Sequence, residues 1–506
     1  MSAAKPPKKA SIETILAQAG THYQELVSVS SRDVVPPLHL STTFERDMDG
    51  TYPGGFVYSR HNNPTRALLE KGEWVWMKKK RVVCLVIIPN PPSSLPPAVM
   101  TDIEDGAEWS AAFASGMQAA TVLLQAFGAN AYLILPDDLY HGVRTLVQSS
   151  FSEWGLRNEC VDMTDLEAVE GVMARAFADE KTSRVLVWME SPSNPLLKVR
   201  KEGGREGGRE GGRDSALLQF RRRRTHPFLL PSLPQVTDIG TVISLAKQYS
   251  QKHRKDYLSI LDTTWHTPFL LQSLLPLHID LTFASATKFL GGHSDLLAGV
   301  ITGKKTKPLV RGGCDLFELE VPIRHIQQTT GGGLAPFDCW LLLRGLKTLP
   351  CRMRTHCENA GKIALLFEKH PRISAVHFPG LASHPGHGLH REMMRKEGMN
   401  GSMLSIQVKG KERGKEGGKE GGGEDEDEAE VFRILARLRV FRRATSLGAT
   451  ESLCEHRRSV EGPLSQTPRN LIRISVGLEG YEDLEEDWRQ ALSEEGEGGR
   501  EEGRRI

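Results

Sequence analysis

The stretch SATKFLGGHSDLLAG, residues 285–299, decides how this sequence is interpreted. Lys288 follows the apolar run Ile279 to Phe283, which predicts a buried strand that ends just before the lysine. Hydroxyl side chains stand beside it at Ser285 and Thr287. An amine in this position is suited to covalent attachment of a carbonyl compound, and the hydroxyls are suited to holding a phosphate. A lone lysine there is more commonly a solvated strand end, so its context decides.

Three upstream residues supply that context. Asp262 closes the apolar run 258–261, where a carboxylate can meet a protonated ring nitrogen, although an aspartate at a strand end is usually a cap. Gly116 and Met117 precede a predicted helix, 118–127, whose start offers free N–H groups to a phosphate. Together these features predict a site for a phosphorylated, nitrogen-containing ring.

The fold class follows from alternating patterns. Short aliphatic runs such as 132–135, 185–188 and 258–261 alternate with helical periodicity, as over 165–177 and 239–248. This alternation predicts βαβ units, an α/β fold with a mostly parallel sheet, and functional groups at the carboxyl ends of the strands.

Composition excludes several classes of protein. The 506 residues contain 65 Lys+Arg and 63 Asp+Glu, a net charge of +2, so neither nucleic acid nor an acidic membrane is predicted as the main partner. The seven cysteines are scattered without metal-ligand spacing, and no secretory signal or membrane span is apparent. We therefore expect a cytoplasmic protein that acts on a small molecule, with no metal site.

Three segments break the α/β pattern: 72–98, 200–236 and 411–428. The last two carry repeats rich in glycine and charge, which bury too little apolar surface to offset chain entropy. The segments are interpreted as disordered surface insertions or errors in the gene model; an RNA- or partner-binding arm is the alternative. Joining residue 199 to Thr237 restores a continuous phrase, which favours an unspliced segment at 200–236.

Many ordered phrases make the chain resemble the Cys/Met-metabolism family of pyridoxal-5′-phosphate (PLP) enzymes, which includes cystathionine γ-synthase, γ-lyase and β-lyase. The resemblance covers nearly the whole chain outside the three segments. The matching phrases are VVPPLHLSTTF (34–44), YSRHNNPTRALLE (58–70), FASGMQAA (113–120), DDLYHG (137–142), ESPSNPLLKV (190–199), LDTTWHTP (261–268), SATKFLGGHSDLLAG (285–299), LAPFDCWLLLRGLKTL (334–349), TSLGATESL (445–453) and LIRISVGLEGYEDL (471–484).

The resemblance implies a role for each matching residue. Lys288 would carry PLP and move protons as general base and acid. Asp262 would pair with the ring nitrogen, and Asn194 would bind the ring hydroxyl oxygen. Tyr140 would stack on the ring and, as a second catalytic residue, help deprotonate the incoming amine. The implied phosphate ligands are the amides of Gly116 and Met117, the hydroxyls of Ser285 and Thr287, and Tyr58 and Arg60 from a neighbouring subunit.

At the substrate end, Arg473 would clamp the α-carboxylate, with Ser446 nearby. Because Tyr58 and Arg60 would serve a neighbouring subunit, the resemblance implies a dimer or tetramer. The chain departs from the family pattern at five positions, none of which removes a catalytic group: Val57, Asn62, His141, Val143 and Thr263.

The implied fold is PLP-dependent transferase fold type I, with a large cofactor domain and a smaller α/β C-terminal domain. We expect an N-terminal arm (1–57), a PLP-binding domain (58–308), a substrate domain (309–492) and a disordered tail (493–506).

The expected function is cystathionine γ-synthase, because the phrases at 34–44 and 190–199 resemble that branch. γ-Lyase and β-lyase are the alternatives. A PLP aminotransferase and an inactive PLP-fold binding protein that retains RNA through residues 200–236 are the rivals from other classes.

Overall fold

The structure of this chain is a computed structural model. It describes residues 12–17, 35, 37–44, 52, 55–70, 99–192, 236–271, 274, 276–308, 316–409, 423–461, 465 and 467–493. The predictions for Asn194, for segment 72–98 and for nearly all of segment 200–236 lie outside the described residues.

A seven-stranded sheet forms the centre of the larger part of the molecule. Its strands are β1 (Trp109–Phe113), β2 (Ala131–Pro136), β3 (Arg157–Val161), β4 (Arg184–Glu190), β5 (Asp256–Asp262), β6 (Leu281–Ser285) and β7 (Gly299–Gly303). Their order is β1-β7-β6-β5-β4-β2-β3. The strands from β3 to β6 in this order pair in parallel, and β7 is antiparallel to β6 and β1. The predicted mostly parallel α/β sheet is confirmed.

The helices lie in the following ranges: α1 (Ile12–Ala17), α2 (Pro64–Glu70), α3 (Val99–Ile103), α4 (Gly116–Phe127), α5 (His141–Leu146), α6 (Leu166–Ala178), α7 (Ile239–His253), α8 (Thr267–Leu270), α9 (Glu320–Thr330), α10 (Pro336–Lys347), α11 (Leu349–Glu368), α12 (His387–Met393), α13 (Gly423–Arg437), α14 (Arg457–Glu461) and α15 (Tyr481–Leu492). A π-helical turn, Val147–Phe151, continues α5. None of the helices in the described ranges combines the length and apolar composition that crossing a bilayer requires.

Both faces of the large sheet are covered. Leu133 and Leu186 pack with the apolar face of α4, whereas Ile134 and Val187 pack with α6 and α7 on the other side. Successive strand residues point to opposite faces, so a strand between two helical layers is apolar on both. This explains why the strands appear in the sequence as unbroken aliphatic runs.

A second sheet of five strands lies toward the C-terminus. Its strands are β10 (Ile373–His377), β11 (Met403–Val408), β12 (Arg442–Arg443), β13 (Leu453–His456) and β14 (Leu471–Ser475), in the order β10-β11-β14-β13-β12. One face packs against α11, α13 and α15 through residues that include Phe367, Ile434 and Trp488. Strands β8 (Thr306–Pro308) and β9 (Leu316–Glu318) form a separate antiparallel pair.

Two predicted boundaries are corrected. The strand predicted over 279–283 is β6, Leu281–Ser285, because Asp280 caps its start by binding Ser259 and Lys307 through its carboxylate. Helix α13 begins at Gly423, so the last residues of segment 411–428 are helical.

Candidate active site

Lys288 lies just beyond the carboxyl end of β6. The backbone N–H of Lys288 donates to the carbonyl of Ser285 at 3.2 Å. Thr287 fixes the turn from the other side, because its hydroxyl accepts from the N–H of Ala298 at 2.9 Å. The turn that carries the lysine is therefore held to the end of its own strand and to the start of β7.

The side chain of Lys288 reaches across to the C-terminal part of the chain. Its Nζ lies 2.5 Å from Oγ of Ser446. Ser446 has φ +89°, a conformation that residues other than glycine rarely adopt and that costs free energy unless the surroundings enforce it. Strained backbone of this kind clusters at functional sites. The contact between Ser446 and Lys288 is therefore a candidate catalytic centre.

Burial lowers the pKa of Lys288 to about 8, and the nearby positive charge of Arg473 acts in the same direction, against an opposing effect of Glu455. A larger share of the amine is then neutral near neutral pH than in an ordinary lysine. Only the neutral amine is nucleophilic, so the environment prepares Lys288 for covalent chemistry.

Asp262 is the last residue of β5 and is buried, 8% exposed. Burial raises the pKa of its carboxyl to about 6, opposed by the hydrogen bonds from Thr264. The N–H of Thr264 donates to Oδ1 of Asp262 at 2.9 Å, and the hydroxyl of Thr264 accepts from the N–H of Ser285 at 2.8 Å. Thr264 thus fixes the carboxylate relative to the strand that leads to Lys288. A buried carboxylate of this kind is stabilised by a cationic group such as a protonated pyridine nitrogen.

The start of α4 abuts the end of β6. Ser115 caps this 12-residue helix, and its hydroxyl accepts from the N–H of Gln118 at 3.0 Å. A Cβ on Gly116 would lie 3.1 Å from both Cβ and Oγ of Ser285, so glycine permits this close approach. The first N–H groups of a helix have no intrahelical partners and attract anions. The helix start and the Ser285 hydroxyl together form a cradle that fits a phosphate group.

Tyr140 is brought to the same edge of the sheet by Glu190, the last residue of β4. Oε2 of Glu190 accepts from the N–H of Tyr140 at 3.2 Å, and Glu190 is the register partner of Asp262. A Cβ on Gly142 would lie 2.6 Å from Cε1 of Tyr140 and 3.0 Å from the sulfur of Met117, so the ring and the sulfur are neighbours. Tyr140 is 45% exposed, which leaves a ring surface open for stacking.

Arg473 lies in the middle of β14 and is 5% exposed. Its Nη2 donates to the carbonyl of Ser446 at 2.8 Å and lies 3.1 Å from Oε1 of Glu455. Burial lowers the pKa of Arg473 to about 10, opposed by the negative charge of Glu455. The guanidinium remains a cation near neutral pH, beside the serine that touches Lys288, where it suits a substrate carboxylate.

Tyr58 and Arg60 lie on the surface of the single chain. Tyr58 is 42% exposed, with the guanidinium carbon of Arg60 5.6 Å from its ring centre. Arg60 donates through Nη1 to the carbonyl of Gln328 at 2.8 Å. A phosphate contact from these residues to a neighbouring subunit stays a prediction.

The structure thus brings most of the predicted residues together between one edge of the large sheet and β14. These residues are Gly116, Met117, Tyr140, Asp262, Ser285, Thr287, Lys288, Ser446 and Arg473. The sequence interpretation missed three others: Glu190, which anchors Tyr140; Thr264, which joins Asp262 to Ser285; and Glu455. Glu190 and Thr264 each stood within a quoted family phrase, ESPSNPLLKV and LDTTWHTP, where their positions at or just after a strand end could have drawn attention.

The residues present fit PLP. The cradle of Gly116 and Ser285 suits its phosphate, buried Asp262 suits its pyridine nitrogen, and the amine of Lys288 suits its aldehyde. The family model described as Cys/Met metabolism PLP-dependent enzyme matches residues 88–201 and 231–493. The unmatched interval falls inside segment 200–236, and Tyr58 and Arg60 precede the matched residues.

Individual relatives carry three different activities. The chain is 30% identical over 494 residues to a cystathionine beta-lyase of Coxiella burnetii, with 96% of this chain and 98% of the relative covered. It is 31% identical over 463 residues to a cystathionine gamma-synthase of Mycobacterium bovis, covering 90% and 91%. A solved cystathionine gamma-lyase from Lactobacillus plantarum, complexed with L-serine, is similar with TM-score 0.68 and 26% identity, covering 96% of this chain and 98% of that one.

Proposed function

Because the chain belongs to the Cys/Met metabolism PLP-dependent enzyme family, we propose that it is a cystathionine γ-synthase, which joins an activated homoserine ester to cysteine. Family membership makes it a PLP enzyme of the synthase and lyase group. The observation that carries the proposal is the contact of Lys288 with Ser446, directly beside Arg473. This contact supports the proposal, because a nucleophilic amine and a cation suited to a substrate carboxylate lie on either side of one serine.

Each side chain has a role in the proposed reaction. Bound PLP supplies an electron sink for negative charge that develops on substrate carbon. Lys288 accepts and returns protons at Cα and Cβ, because its lowered pKa lets it exchange protons near neutral pH. Arg473 holds the α-carboxylate, so that the carbon to be deprotonated faces Lys288. Tyr140 would stack on the PLP ring and limit access of water to it.

The choice of the synthase rests on the phrases at 34–44 and 190–199. The test supplies purified protein and PLP with an O-acyl homoserine plus cysteine, and separately with cystathionine alone. A synthase forms cystathionine from the first mixture. No cystathionine there, together with rapid consumption of cystathionine in the second, would contradict the proposal.

The lyases are the second candidates, since the phrase at 334–349 resembles β-lyases. The products that each lyase releases from cystathionine distinguish the two activities. β-Elimination releases homocysteine, pyruvate and ammonia, whereas γ-elimination releases cysteine, 2-oxobutyrate and ammonia. The identity of the keto acid therefore decides between them.

We further propose that the protein is a cytoplasmic homo-oligomer in which Tyr58 and Arg60 complete the phosphate site of a neighbouring subunit. Their exposure on the single chain supports this. Inactive Arg60→Ala and Lys288→Ala chains should regain activity when mixed, since one of the two sites of a mixed dimer would have both native residues. No recovery in proven mixed oligomers would contradict the shared site.

A further inference from the structure

Glu455 is a buried carboxylate opposite Arg473 on the neighbouring strand. The two residues are register partners in the antiparallel pair of β13 and β14, so their side chains share one face of the sheet. Oε1 of Glu455 lies 3.1 Å from Nη2 of Arg473, and each side chain is 5% exposed. This ion pair is shielded from water and directly adjoins the proposed substrate site.

A second arginine touches the same oxygen. Nη1 of Arg457 lies 3.0 Å from Oε1 of Glu455, and Nε of Arg457 lies 2.9 Å from Oε1 of Glu461. Glu461 also accepts from the hydroxyl of Thr467 at 2.8 Å. Glu455 therefore separates two buried guanidinium groups, and Glu461 balances the outer one.

Stability alone is a poor reason for this arrangement. A buried ion pair contributes little net stability, because desolvation of the charges offsets their attraction. Oε2 of Glu455 is also buried without a hydrogen-bond partner in the described part of the chain, which adds a further cost. A costly buried carboxylate that contacts the proposed clamp indicates a functional role.

We propose that Glu455 is a positioning residue, which holds the guanidinium of Arg473 in the orientation that receives the substrate α-carboxylate. The contacts that fix that guanidinium include the carbonyl of Ser446 and the carboxylate of Glu455. Without the negative charge, Arg473 and Arg457 would repel each other in a poorly screened interior. An arginine that is already oriented loses less freedom when the substrate binds.

This inference rests on the proposed function, and its test measures binding rather than turnover. Holoenzyme is titrated with glycine and with methylamine, two amines that differ only by the carboxylate, and binding is followed by visible absorption. Glu455→Gln keeps the size of the side chain and removes its charge. We expect the Kd of glycine to rise about 10- to 100-fold, and the Kd of methylamine to change less than about threefold, because methylamine has nothing for Arg473 to hold.

A matched control is available at Glu430, a buried carboxylate that also bridges two arginines, Arg372 and Arg433. It lies in α13, against the opposite face of the sheet. Glu430→Gln should leave both Kd values unchanged. In an Arg473→Met background, Glu455→Gln should add no further loss of glycine binding, because the residue acts through Arg473.

The possible results distinguish failure of the proposed function from failure of the role proposed for Glu455. If the wild type shows no lysine-bound PLP band, the proposed function itself fails. If the band is present and Glu455→Gln binds glycine equally or more tightly, Glu455 does not position the clamp, and the enzyme assignment stands. If Glu455→Gln does not fold, Glu455→Asp replaces it; this variant should weaken glycine about tenfold, and equal weakening of both probes would contradict the positioning role.

Discussion

Burial favours the neutral forms of two ionisable side chains at the site. The pKa of Lys288 is lowered to about 8 and that of Asp262 is raised to about 6. Both shifts mean that burial at the site disfavours charge. A cationic ring nitrogen beside Asp262 would relieve that cost, so cofactor binding should stabilise the folded protein.

Replacing Asp262 with asparagine tests its role at the ring. The change keeps the side-chain shape but removes the charge that would stabilise a protonated ring nitrogen. We expect kcat to fall at least about 100-fold, the range measured when one preorganised electrostatic group is removed. The measurement is steady-state turnover of whichever substrate the wild type accepts.

Asp280→Asn provides the control. Asp280 is also a buried strand-end carboxylate, but it lies at the start of β6 and binds Ser259 and Lys307. This variant should lose stability while kcat remains within a few-fold of the wild type. Equal losses of kcat in both variants would assign the effect to folding rather than to the ring.

Among individual residues, the sequence identified those that belong to a local motif. It missed residues whose role depends on a contact with a neighbouring strand. Lys288 and Asp262 could be predicted because each closely follows an apolar run. Glu455 could not, because its contact with Arg473 depends on the register between β13 and β14, which no local pattern specifies.

At the scale of elements, the start of α4 lies so close to the end of β6 that we expect a strict limit on side-chain size at residue 116. Ser285 is held by Thr264 and cannot easily withdraw from a methyl group on Gly116. Gly116→Ala should therefore weaken PLP binding by about tenfold or more, measured by titrating the apoprotein with PLP.

Gly361→Ala is the matched control within a helix. A Cβ at Gly361, in α11, would meet no atom within 4 Å. It should leave PLP affinity unchanged and raise the free energy of unfolding by about 0.5–1 kcal/mol, since alanine is the better helix former. Unchanged PLP affinity in Gly116→Ala would contradict the proposal that the start of α4 and Ser285 bind the phosphate.

A histidine pair connects α8 to α12. The rings of His266 and His390 lie 5.7 Å apart, and their ring nitrogens are buried without hydrogen-bond partners in the described residues. Burial lowers the pKa of His266 to about 3 and that of His390 to about 4. The unfolded chain therefore binds more protons than the folded one between about pH 4 and 6.5.

Because the folded chain binds fewer protons, the free energy of unfolding is highest above pH 6.5 and decreases as the pH falls toward 4. For His390 alone the loss is about 3 kcal/mol, measurable by urea unfolding at several pH values. His390→Leu should flatten the pH dependence, and His325→Asn, at an exposed position, should not. An unchanged slope in His390→Leu would exclude this histidine as the source.

Element types were predictable from the sequence, whereas some element ends were not. The aliphatic runs marked β2, β4 and β5 because those strands are buried on both faces. Helix α4 starts two residues before its predicted start, because Ser115 caps it. Side-chain bonds such as this one, and the carboxylate of Asp280 before β6, decide boundaries without changing the hydrophobic pattern.

At the scale of the whole molecule, the site is formed where the two sheets meet. Lys288 comes from the large sheet, whereas Ser446 and Arg473 belong to the C-terminal part. Sequence phrases could assign each residue, but only the packing of the two parts shows that Ser446 joins the lysine to the arginine.

The molecule should tolerate removal of residues 202–230, the interval that the family model leaves unmatched. The flanks are already joined, because the N–H of Thr237 donates to the hydroxyl of Ser191 at 3.0 Å. The shortened chain should keep its PLP absorption and its turnover within about twofold, since surface insertions cost little. Loss of both would show that the interval is part of the functional fold.

We propose that Lys288 binds PLP in a formed site, and the visible absorption spectrum is the immediate check of this claim. Purified protein with added PLP is compared with Lys288→Ala under the same conditions. We predict a yellow band of lysine-bound cofactor in the wild type and none in the variant. Absence of the band from both, in protein shown to be folded, would contradict the claim.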